Sequence, residues 1–113
     1  MENSTNKNYN VIIYNVIRKL GLRPNHLGTV LISKAVPLIK EKADIIVIED
    51  IYNELANTND SFSPAQVRVA IRYAIMNRNE EKTIMNFESI FGYEYDEELF
   101  TNKDFLEELA RVI

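Results

Sequence analysis

Cysteine is absent from the 113 residues, so neither a disulfide framework nor a thiolate metal site can form. Histidine occurs once, at His26, which removes the His pair that a zinc site needs. No apolar run approaches the roughly 20 residues of a membrane span, and no apolar signal segment follows Met1. These absences point to a soluble, cytoplasmic protein without membrane partners. Only three glycines and three prolines interrupt the chain, and helix formers dominate between them, which predicts an all-α domain. There is no G-x-S-x-G, no phosphate-cradling glycine loop and no cysteine nucleophile, so neither an enzyme nor a cofactor is expected.

What is present is an uneven distribution of charge. The formal net charge is -4, yet residues 1–42 hold seven basic residues against two acidic, and residues 80–113 hold three against ten. Between them, Ser63 to Asn79 contains Arg68, Arg72 and Arg78 and no acidic side chain. A bulk pI near 5.0 disfavours a nonspecific nucleic-acid binder but leaves room for a localised basic face. The acidic run Glu94, Asp96, Glu97 and Glu98 lacks the glycine and ligand spacing of a calcium loop and reads as a solvated connector.

Along the chain, residues 1–8 read as a disordered polar tail and 9–113 as one domain. Val11 to Leu20 follow helical spacing up to Gly21, which suits a left-handed cap. A second helix is predicted over 26–42, kinked or split at Pro37. A third runs from Asp44, read as its N-cap, through Ala56. Ser63, Pro64 and Gln66 then spell a capping box with proline in the first turn. Val67, Ala70, Ile71, Ala74 and Ile75 form the buried stripe of a helix over 64–78, leaving Ala65, Arg68, Val69, Arg72, Tyr73 and Met76 outward. Further helices are predicted near 83–91, ending at Gly92, and from Thr101 onward, with an irregular acidic connector that has room for a short extended piece. That makes about six helices.

The pair 44–56 and 64–78 matches a helix-turn-helix unit, whose second helix enters the DNA major groove. Arginine and glutamine bond base edges bidentately, and apolar side chains meet thymine methyls. The predicted base-facing residues are therefore Gln66, Arg68, Val69, Arg72 and Tyr73. Ser63 and the helix N-terminus, with Arg23 and Lys34, are the expected phosphate contacts.

The order of the pieces also resembles the C-terminal DNA-binding effector domain of the sporulation master response regulator (stage zero, protein A). G-L-R-P-N-H-L-G at 21–28, A-I-R-Y-A-I at 70–75, S-I-F-G-Y at 89–93 and T-N-K-D-F at 101–105 carry the likeness. The resemblance implies a six-helix domain whose fourth and fifth helices form the helix-turn-helix unit and which binds double-stranded DNA as tandem copies. Arg72 falls where that family keeps a recognition-helix arginine. Val69 stands in place of a base-contacting arginine, and Arg68 in place of a glutamate. The turn N-T-N-D-S-F-S is longer, and D-E-E-L-F replaces a basic segment. Only a short tail precedes the first helix, so control is expected through abundance, a partner or oligomerisation rather than a receiver domain. Two functions follow: a stand-alone transcription regulator, or an acidic protein-interaction module that keeps the fold without reading DNA. The latter would antagonise a regulator or a nucleic-acid-binding machine, as small phage or mobile-element proteins do.

Overall fold

A computed structural model describes the backbone of residues 2–42, 46–58 and 61–113, and side chains from residue 9 onward. Among the described residues it is all-helical: α1 (Glu2–Lys19), α2 (Leu27–Glu41), α3 (Ile48–Asn57), α4 (Pro64–Met76), α5 (Glu80–Phe91) and α6 (Asn102–Val112). No described helix is long and apolar enough to cross a membrane.

Several boundaries depart from the sequence pattern. The backbone of α1 is helical from Glu2, where a polar tail is expected, because an established helix extends one residue at a time at little cost. The second helix does not split: α2 continues through Pro37, with Ala35, Val36 and Ile39 all buried around it. Packing on that scale outweighs one lost backbone bond. The two helices read from the sequence as a helix-turn-helix pair are the third and fourth of the described helices, where the resemblance implies the fourth and fifth. The third helix starts later than predicted, with Val47 at its N-cap and no side-chain capping bond. Asp44, the expected cap, lies outside the described residues. Val47, a β-branched residue, supplies extended backbone there and is half exposed, with Ile46 buried beside it. The connector before α6 holds a 3-10 turn at Glu97–Leu99 rather than an extended piece, and the Asp96 carboxylate accepts from the Glu98 N–H at 3.0 Å to start it.

The core is one cluster. Ile13, Ile17 and Leu20 of α1, Leu31, Ile32 and Val36 of α2, Ile51 and Leu55 of α3 and the inner face of α4 meet Phe87, Phe105 and Leu109. Phe87 is ringed by Phe91, Tyr93, Tyr95 and Phe100 at centroid distances of 4.7 to 6.0 Å. The largest interhelical contact is α2 on α4. Gly28 makes it possible, since a Cβ there would collide with the Ala70 carbonyl and the Ala74 side chain. Gly21, at φ +94°, turns the chain so that its carbonyl accepts from the Asn79 N–H at 2.8 Å. Together the two glycines press the α1–α2 loop and the start of α2 onto the second half of α4 and the residues that follow it.

Candidate nucleic-acid interface

Helix α4 starts as its sequence says. The Gln66 N–H donates to Ser63 Oγ at 3.1 Å, and the Ser63 N–H donates to Gln66 Oε1 at 2.8 Å. Val67, Ile71, Ala74 and Ile75 are buried, with Ala70 partly so. The predicted outer face, Ala65, Arg68, Val69, Arg72, Tyr73 and Met76, is exposed throughout.

The side chains on that face are not equally free. Arg72, predicted to face bases, donates from Nη1 to the Phe100 carbonyl at 2.6 Å and from Nη2 to Met76 Sδ at 2.9 Å. It therefore ties α4 to the connector before α6. Gln66 commits its side-chain oxygen to the cap. Tyr73 lies 5.4 Å from the ring of His26, a residue the sequence reading leaves without a role. Arg78 sits 3.9 Å over the Phe100 ring while bonding the Ile75 carbonyl and the Thr83 hydroxyl, so it is structural.

Arg68 borders a depression shared with Glu49, Tyr52 and Asn53 of α3. Burial pushes the Tyr52 phenol up, opposed by its bond from Asn102 and by the Arg68 charge. Asn102 bridges the unit, donating to the Tyr52 hydroxyl and the Arg68 carbonyl, both at 3.1 Å. No local sequence signal marks that role, because its partners lie 50 and 34 residues away.

The two expected phosphate contacts separate. Arg23 reaches the C-terminal end of α4, donating from Nε to the Asn77 carbonyl at 3.3 Å. Lys34 instead lines a cleft with Asn10 and Tyr14 of α1, away from the outer face of α4. Between the start of α2 and α4 runs an open groove of about 600 Å³, bordered by His26, Leu27, Gly28, Val69, Ala70 and Tyr73.

Residues 13–113 match the family model described as the sporulation initiation factor Spo0A C terminal. No curated protein and no solved structure matches the chain. That family is the DNA-binding domain of a transcription factor, which fits the all-helical architecture and the α3–α4 pair. The match covers all but the first turns of α1, and the chain belongs to this family.

Proposed function

We propose that the chain is a sequence-specific transcription regulator that inserts α4 into the DNA major groove, with α3 as the supporting helix. The observation that carries this reading is a capped helix that exposes its outer face, bears arginines and has no acidic side chain from Ser63 to Asn79. A helix N-terminus adds positive potential toward a phosphate, so Ser63 and the first turn of α4 are assigned there. Arg68, Val69 and Tyr73 are assigned to bases. Gln66 and Arg72 join them only by exchanging bonds they make within the domain. Arg23, next to Asn77, is assigned to the sugar–phosphate backbone, as is Lys34, which would need DNA to extend toward α1.

A protein-interaction module is the second reading, favoured by the exposure of Val69, Tyr73 and Met76 on one helix face. Fluorescence anisotropy with random and selected duplexes, at about 50 and 200 mM salt, separates the two. A DNA reader enriches particular sequences and loses affinity steeply with salt. A module that binds only proteins leaves both pools unbound at micromolar concentration, even at the lower salt.

A further inference from the structure

The outward side chains of α4 divide by angle. At about 100° per residue, Arg68 and Arg72 turn toward α3 and Phe100, whereas Gln66 and Tyr73 turn toward α2. The crest between those flanks is Ala65, Val69 and Met76. Val69 and Met76 are 56% and 60% exposed, and no polar side chain stands on the crest. The flanking donors are partly occupied: Arg72 by Phe100 and Met76, Gln66 by the cap. The part of the helix that would go deepest into a groove therefore carries no donor, and no acceptor beyond the Met76 thioether that Arg72 already engages.

Among the base edges of the major groove, the C5-methyl of thymine is the apolar feature. An apolar crest gains from contact with that methyl, and it leaves the donors and acceptors of a guanine or cytosine edge without partners. DNA is favoured as occupant over an apolar protein segment by the surrounding charge, because arginines line one flank of the crest and no acidic residue lies in the same helix. Resting on the DNA-reading function above, we propose that α4 specifies thymine at the centre of its site. Val69, with Ala65 one turn earlier, packs on C5-methyl groups, and the arginines act mainly at the flanks. Val69 is the specificity-determining residue, and its role is hydrophobic.

The test uses the full chain and a duplex enriched from a random pool. Each thymine in that duplex is replaced in turn by deoxyuridine, which removes the methyl and leaves every hydrogen-bonding group in place. Affinity is expected to fall about fourfold for each buried methyl, at one or two central positions. Val69→Ala should bind the thymine and deoxyuridine duplexes nearly alike while keeping the salt dependence of the parent. Because Val69 is exposed, its melting temperature should match the parent's. An enriched duplex that tolerates deoxyuridine everywhere overturns the thymine proposal and leaves DNA reading standing. Full methyl sensitivity in Val69→Ala overturns the role given to Val69. Failure to enrich or bind any duplex overturns the DNA-reading function, and the thymine proposal with it.

Discussion

The two halves of the molecule treat charge in opposite ways. In the acidic half, charges find each other: Arg111 bonds Glu108 at 2.9 Å, Tyr93 donates to the same carboxylate at 2.6 Å, and Lys103 lies 3.8 Å from Glu107. On α4 and its C-terminal extension, no arginine forms an ion pair among the described residues. Arg72 and Arg78 bond carbonyls, a thioether, a hydroxyl and a ring instead. Neutral partners orient a guanidinium without cancelling its charge. The charge of α4 therefore stays uncompensated by ion pairs despite a net charge of -4, and steering of a polyanion depends on such local charge rather than on the sum.

Two glycines, one in each half, offer the largest break in this comparison. At Gly28 an added Cβ would meet the Ala70 backbone, so Gly28→Ala must push α2 away from α4. Overpacking of this kind costs about 1–3 kcal/mol, and rigid backbone as the obstacle favours the upper end. At Gly92 nothing lies within 4 Å of an added Cβ, but φ is +88°, so Gly92→Ala costs only the left-handed strain of about 1 kcal/mol. Urea unfolding of both variants should rank Gly28→Ala as clearly the less stable. Fluorescence anisotropy on molecules that remain folded should show weakened DNA affinity for Gly28→Ala alone.

The matched helix caps sharpen the comparison at a smaller scale. Ser63 caps α4, and Thr101 caps α6 by accepting from the Asp104 N–H at 3.1 Å. Removing either hydroxyl by alanine should cost about 1 kcal/mol of stability. Only Ser63→Ala should also weaken DNA binding, since only that cap stands at the proposed phosphate contact. Equal loss of binding in both variants would show that stability alone accounts for it.

These caps also mark what the sequence made legible. Ser63-Pro64-Gln66, the stripe from Val67 to Ile75, the Gly92 stop and the Thr101–Asp104 start are local patterns, each completed within a turn or two of helix. The features that no local pattern reveals depend on distant partners. Arg72 finds its carbonyl at Phe100, 28 residues on, and no spacing rule points there. Pro37 reads as a helix breaker until the burial of its neighbours is known. Lys34 looks like any basic residue near a DNA-binding unit, but the rotation of α2 required to bury Leu31, Ile32, Ala35 and Val36 turns it toward α1. His26 has no pattern to recommend it and acquires a role only because Gly28 brings the start of α2 against Tyr73. The face of α4 was readable, then, whereas the occupation of its donors was not.

The smallest expected effect isolates the acidic half. The Arg111 hydrogen bond, opposed by partial burial and helped by the Tyr93 hydroxyl, holds the Glu108 carboxyl below its usual range. A carboxylate whose pKa is lowered on folding adds stability above its unfolded pKa, and that contribution fades as pH falls through the folded value. Melting temperature should accordingly decline from about pH 5 toward pH 3 in part through Glu108. Glu108→Gln should start slightly less stable at neutral pH and show a shallower decline, since it has no proton to take up. Tyr93 works in the other direction. Partial burial and the Glu108 bond raise its phenol, so its contribution is present at neutral pH and fades only as pH rises above its ordinary value near 10.0. Neither change touches α4, so affinity for a selected duplex at pH 7 should be the same in Glu108→Gln and the parent. A drop in that affinity would mean that the acidic half influences α4 through the Phe91–Phe100 connector, and the two regions would have to be treated as one.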